Sequence, residues 1–347
     1  MIQTTKEESD RIRIVKCTAI VLVVFLHAYT TEVNFADGCQ TAALPEWLRM
    51  LETGVSQTAA RCGVPIFFLL SAVLLFRAEH TYKEVIQKKI RTLLVPYLIW
   101  NTFWIAVFLI LQSLPFTAGY FSGNNTPILQ SSVYEWFGLY GIGREYPHCY
   151  PLWFMRDLMA AVLFFPLIRE AADRCPAAVM CIGIGLVVSP YSFFCKTAFA
   201  WFLIGAAVVK KKGSVLVFDK YSMVKTGGLY FGSGVAALLL DSPVSGNVFL
   251  FVGIMFWLRL SKEIYDRRKL REIFVKLSDW VFIIYVMHEM TLSSVRKICF
   301  RMLPATPLFW LLEYLLLPAV VIAGCILAGI VFKKCMPELY RISTGER

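Results

Sequence analysis

Histidine is scarce in this chain, with four residues among 347, and its ten cysteines are scattered without the spacing of metal ligands. No metal site is therefore expected. No small-residue cleavage site follows the first apolar run before the polar stretch TTEVNFADG, so that run reads as a retained helix and not as a signal peptide. Internal repeats and low-complexity linkers are also missing. That leaves a single membrane domain over residues 1–347, with a membrane core at about 10–332 and a cytoplasmic tail at 333–347.

Apolar side chains dominate what remains. Hydrophobic residues make up 58% of the sequence and the mean hydropathy is +0.62, a composition that excludes an ordinary soluble enzyme. Apolar runs of membrane-spanning length predict an all-α, polytopic bundle of about ten transmembrane helices. They fall at approximately 14–30, 57–77, 93–113, 152–169, 176–194, 197–212, 226–240, 246–260, 279–298 and 307–332.

A net charge of +11 suggests nucleic-acid binding in a soluble protein. Here the basic residues cluster in alternate short loops: Lys83 to Arg91, Arg169 and Arg174, Lys210 to Lys225 including Lys212, and Arg259 to Lys276, with Lys6, Arg11 and Arg13 before the first run. That pattern is topology, and no nucleic-acid partner is expected. By the positive-inside rule these loops and both termini are cytoplasmic. Arg296, Lys297 and Arg301 form the exception, on the opposite side. The longest loops, 31–56 and 114–151, face outward and are long enough to cap a cavity. Cys39 and Cys149 lie in them, where an oxidising compartment permits a disulfide.

His27 follows Lys16 by eleven positions in KCTAIVLVVFLH. At ~100° per residue both side chains return to nearly one helix face, ~16 Å apart along the axis. Two readings fit the pair. Lys16 snorkels at one membrane surface while His27 marks the other interface, or both face a protein interior where ionisable groups serve function. Arg61, Arg156, Asp157, His288 and Glu289 fall at depths that allow one polar layer with His27 if their helices face one another. Lys16, Lys88, Lys89 and Arg91 form a second, purely basic layer at the inner surface.

Together with the first span, RCGVPIFFLLSAVLLF at 61–76, KKIRTLLVPYLIWN at 88–101, PLWFMRDLM at 151–159, FLIGAAVVKKK at 202–212 and SDWVFIIYVMHE at 278–289 resemble the acyltransferase-3 family of integral membrane acyltransferases. The resemblance implies about ten helices, a cytoplasmic acyl-CoA donor, transfer of an acetyl or similar group to a sugar hydroxyl or related envelope acceptor, and a bacterial cytoplasmic membrane. The family's first-helix pattern of a basic residue, ten positions and a His falls on Lys16 and His27, with Lys in place of the usual Arg. Its pair of Arg two residues apart falls on Lys89 and Thr92, where the second cation is missing and Lys88 and Arg91 stand nearby. A common Ser-Gly step becomes Ser71 and Ala72, a change of helix packing.

On this resemblance Lys16, Lys88, Lys89 and Arg91 suit the phosphates of acetyl-CoA or another acyl-CoA by charge. The Lys16 to His27 offset matches the reach of an extended pantetheine arm. His27 is the expected general base, with an acyl-histidine as a variant, and Arg61 orients the substrate or stabilises the oxyanion. Trp153, Arg156, Asp157, Tyr285 and His288 are candidate substrate contacts. Asp157 either orients a catalytic His or is neutralised by Arg156, and His288 either meets substrate or bonds between helices. His148 in the outer loop is a further candidate for the acceptor, as are Trp136 and Trp153 for stacking on a sugar, whereas His80 is expected in solvent. Glu313 reads as a helix-packing partner inside the last span. The other classes open at this point are a polysaccharide or small-molecule transporter or flippase, which often shows two related halves not seen here, and a membrane sensor or partner subunit.

Overall fold

The computed structural model describes residues 5–29, 32–35, 37–121, 127–211, 214–302 and 306–345. Lys212 and both chain ends, which bear on the expected topology, lie outside the described residues, as do parts of the two long loops.

Nearly all of the described chain is helical. The apolar runs fall on α1 (Lys6–Ala28), α2 (Gly63–Arg77), α3 (Val95–Ser113), α4 (Trp153–Leu163) with α5 (Phe165–Arg174), α6 (Pro176–Val188), α7 (Lys196–Lys210), α8 (Met223–Leu240), α9 (Pro243–Asp266), α10 (Val281–Met302) and α11 (Pro307–Cys335). Among the described residues, five stretches are long and apolar enough to cross a membrane: Glu46–Arg77, Tyr82–Ser113, Met223–Leu240, Pro243–Asp266 and Pro307–Cys335. A sixth is added if Tyr150–Leu163 and Phe165–Arg174, bent by 60°, form one broken span. The bend has a local cause, since Pro166 in the first turn of α5 has no N–H to continue the preceding ladder. The protein is thus a multi-pass membrane protein. Helices α6 and α7 have 13 and 15 residues. At ~1.5 Å per residue they fall short of the ~30 Å hydrocarbon core.

The chain packs as two compact units. The first comprises Met1–Leu26, Thr53–Lys88 and Asp157–Val281. Here α2 and α7 come so close that a Cβ on Gly205 would lie 2.5 Å from the Cβ of Ala72 and 3.1 Å from the Leu69 carbonyl oxygen. Ala72, at the expected site of altered packing, is therefore the residue that presses on this glycine. Charges at the start of α1 are buried in pairs. Arg11, with no exposed surface, donates to both carboxylate oxygens of Asp219 at 2.6 and 2.8 Å and to Ser261 Oγ at 3.0 Å. Glu8 forms an ion pair with Arg77 at 2.8 Å and accepts from Ser214 at 2.5 Å. Burying such ions is costly unless each is paired, and here the pairing is supplied by distant segments of the chain.

The second unit comprises His27–Glu52, Lys89–Arg156 and Phe282–Arg347. Its two long loops carry regular structure. In the first, β1 (Glu32–Phe35) and β2 (Gly38–Thr41) form an antiparallel hairpin with Val33 opposite Gln40, and a short helix follows at Glu46–Glu52. In the second, the helix Val133–Leu139 starts in a capping box, Ser132 and Glu135 each bonding the other's backbone N–H. Asn101 of α3, fully buried, anchors this loop: its amide donates to the Leu139 carbonyl at 2.8 Å and its oxygen accepts the Cys149 N–H at 2.9 Å. Residues of the expected C-terminal tail form the helix Pro337–Ser343. Trp100 of α3 donates to the Ser343 carbonyl at 3.0 Å.

Candidate functional site

The second unit brings the end of α1, the end of the 114–151 loop and the middle of α10 together. His27 occupies the last turn of α1. Its ring lies 5.2 Å, centroid to centroid, from that of His288 and 5.6 Å, edge to face, from that of Tyr150.

His288 is fully buried and its tautomer follows from its surroundings. Nδ1 lies 2.9 Å from both the Ile284 and the Tyr285 carbonyl oxygens. Carbonyls only accept, so Nδ1 carries the proton, and in the neutral ring Nε2 keeps a free lone pair. Nε2 has no hydrogen-bond partner among the described residues, and neither has the buried Oε2 of Glu289 beside it on α10. An unpaired lone pair one ring away from His27 is the kind of group a hydroxyl-bearing ligand satisfies.

Six further contacts hold this arrangement. Tyr285 donates its hydroxyl to the Pro151 carbonyl at 2.6 Å, next to Tyr150. Trp104 of α3 donates to the Val286 carbonyl at 2.9 Å, and Cys149 directs its thiol to the same carbonyl at 3.8 Å. Arg296 of α10 donates Nε to Glu313 at 3.0 Å, Nη1 to the His27 carbonyl at 3.3 Å and Nη2 to the Ala28 carbonyl. The two residues that looked anomalous in the sequence, an arginine against the charge rule and an acid within the last span, are partners.

The remaining expected residues are distributed as follows. Arg156 is half-buried and donates to the Arg144 carbonyl at 3.3 Å and to the Gly141 carbonyl at 3.5 Å, so it braces the 114–151 loop. Trp153 is half-buried, and Trp136 packs against the cluster of Ile105, Ile128 and Leu139. Lys89, half-buried, and Arg91, exposed, belong to the second unit. Lys16, half-buried, Arg61 and Lys88, both exposed, and Asp157, buried, belong to the first. Lys16 and His27 do lie on one continuous helix, as their spacing predicts.

His148 is not an exposed loop residue. Its N–H donates to the Leu139 carbonyl at 2.7 Å, its ring meets Phe108 edge to face at 4.9 Å, and burial pushes its pKa down to about 4. Cys39 and Cys149 are not bridged. Cys39 is exposed, whereas Cys149 has no accessible surface and its thiol is turned to the Val286 carbonyl. Among the described residues no cluster of His, Cys, Asp and Glu is grouped to hold a metal ion. Sequence reasoning missed Tyr150 and Asn101. Tyr150 directly precedes the PLW step, and nothing in that position distinguishes it from the other aromatics of the segment.

Residues 10–330 match the family model of the acyltransferase-3 family, described as an acyltransferase domain. The chain is similar to the succinoglycan biosynthesis protein ExoH of Rhizobium meliloti, with 24% identity over 358 aligned positions that cover 98% of this chain and 92% of that protein. No solved structure matches it.

Proposed function

Because the chain belongs to the acyltransferase-3 family, a family of membrane acyltransferases, we propose that it moves an acyl group, acetyl or a close analogue, from cytoplasmic acyl-CoA to a hydroxyl of a cell-envelope polysaccharide. The similarity to a protein of succinoglycan biosynthesis supports the glycan acceptor. On this reading the bundle has about ten spans in a bacterial cytoplasmic membrane with both termini inside.

His27 is the general base. It takes the proton of the acceptor hydroxyl as the oxygen attacks the thioester carbonyl carbon, and gives it to the CoA sulfur as the C–S bond breaks. The products are an oxygen ester and free CoA thiol. His288 accepts a hydrogen bond through Nε2 from a neighbouring hydroxyl of the acceptor and so orients the sugar. Arg61 stabilises the tetrahedral oxyanion. Lys16, Lys88, Lys89 and Arg91 hold the CoA phosphates by charge; a lysine at the first of these positions gives up the bidentate fork of an arginine. Trp153, Arg156, Asp157 and Tyr285 line or brace the acceptor side.

The observation that carries this reading is the pair of imidazoles 5.2 Å apart, one with its proton fixed on Nδ1 and the other in the last turn of the helix that also bears Lys16. The test is transfer of radiolabel from acetyl-CoA, and separately from succinyl-CoA, to envelope polysaccharide by membranes containing the protein. His27→Gln is expected to abolish the transfer; full transfer by folded His27→Gln protein contradicts the assignment.

A further inference from the structure

We propose that Arg296 is a positioning residue for His27, acting as a charged clamp on the C-terminal end of α1 that Glu313 holds in place; this rests on His27 being the base.

The last carbonyls of any helix lack partners within that helix, and inside a membrane no water replaces them. The C-terminal end also carries the negative pole of the helix dipole. In α1 that end contains His27 and Ala28, and their two carbonyls receive Nη1 and Nη2 of one guanidinium. The third direction of the fork, Nε, meets Glu313 Oε1 at 3.0 Å. Both side chains are nearly inaccessible, at 6% and 8% exposure, so each charge depends on the other. A planar, always-charged fork meets two backbone oxygens and a carboxylate at once, which an ammonium on a flexible stem does not reproduce.

The clamp touches the backbone of His27 and not its ring. Fixing the two terminal carbonyls fixes the direction of the His27 Cα–Cβ bond. That direction sets the ring against Tyr150 and His288. Arg296 and His288 both belong to α10, so one helix supplies the neighbour of the base and sets the backbone from which the base projects. A loosened helix end alters orientation at the reacting centre, and small misplacements cost large factors in rate.

The test compares Arg296→Lys, Glu313→Gln and His27→Gln with wild type in the purified, reconstituted full chain, reading kcat and KM for acetyl-CoA and amide hydrogen exchange in the last turn of α1. In Arg296→Lys, kcat is expected to fall by between about tenfold and a hundredfold, with KM for acetyl-CoA unchanged and faster exchange at the end of α1. Glu313→Gln, which keeps shape and volume, is expected to show the same pattern more weakly and carries the test if Arg296→Lys does not fold. Unchanged kcat and exchange in the folded variants overturns the clamp, as does a rise in KM with kcat intact. If His27→Gln keeps full turnover, the base assignment fails by itself, and the exchange measurement still reads whether the clamp exists.

Discussion

The imidazoles of His27 and His288 lie 5.2 Å apart, centroid to centroid and tilted by 56°, although the two residues belong to α1 and α10. The hydrogen bonds of His288 Nδ1 to Ile284 and Tyr285 leave Nε2 as a buried acceptor with no partner among the described residues. Substituting His288 by Phe removes that acceptor and keeps the ring. If it orients the acceptor through a neighbouring hydroxyl, turnover falls about tenfold to a hundredfold, the range of one hydrogen bond in a buried site. Kinetics of folded His288→Phe protein with acyl-CoA and polysaccharide measure this; a rate within twofold of wild type assigns His288 to structure alone.

His148 provides a pH-dependent handle outside the spans. Its folded-state pKa is lowered from 6.5 to about 4 by burial. The unfolded chain therefore binds a proton that the folded loop refuses between these values, and stability falls as pH drops from 6.5 towards 4. Above pH 6.5 the group is neutral in both states and contributes no slope. Replacing it with Gln is expected to flatten the pH dependence of unfolding in this window, as followed by thermal unfolding at a series of pH values. An equal slope in wild type and variant contradicts the assignment.

The α2 to α7 contact yields a reciprocal prediction. Gly205→Ala places a Cβ 2.5 Å from that of Ala72 and is expected to destabilise the protein by about 1–3 kcal/mol. Ala72→Gly in the same chain clears the space and restores much of the loss. Midpoints of thermal unfolding in detergent for the two single variants and the double variant decide it; simple additivity of two losses contradicts it.

Asp219 is the nearer of two carboxylates paired with a fully buried guanidinium, at 2.6 Å against 3.6 Å for Glu7. Asp219→Ala removes the bidentate carboxylate of Arg11, leaving it the weaker contact to Glu7 at 3.6 Å, and is expected to cost up to about 3–5 kcal/mol or prevent accumulation. Asp219→Glu should be milder. Expression and detergent unfolding of the two variants check the order; equal stability of Asp219→Ala and wild type contradicts it.

Periodicity and composition were enough to read the helices, the membrane and the Lys16 to His27 helix, because burial in lipid imposes long apolar runs and the helix repeat fixes which positions share a face. Among the described residues, length and composition support five or six of the about ten expected spans, since α6 and α7 are short and the chain breaks between Leu163 and Phe165. Length in that region depends on where a helix ends, and Pro166 ends one. The pairing of Arg296 with Glu313 was not legible, although each residue was noticed. The sequence shows the cost of a buried charge and not the partner that offsets it. Tyr150 and Asn101 were hidden for the same reason: their roles come from one ring contact and two loop hydrogen bonds made across the second unit. Cys39 and Cys149 share an outward-loop setting in the sequence, but only Cys149 is drawn into the core by Asn101.

The most direct measurement is acetyl-CoA binding and slow thiol release by the purified full chain, comparing wild type with Lys16→Ala and His27→Ala. The account predicts that wild type binds and slowly releases CoA, that Lys16→Ala weakens binding, and that His27→Ala binds normally but releases none. Release at the wild-type rate by folded His27→Ala protein contradicts the central claim that this imidazole moves the proton in acyl transfer.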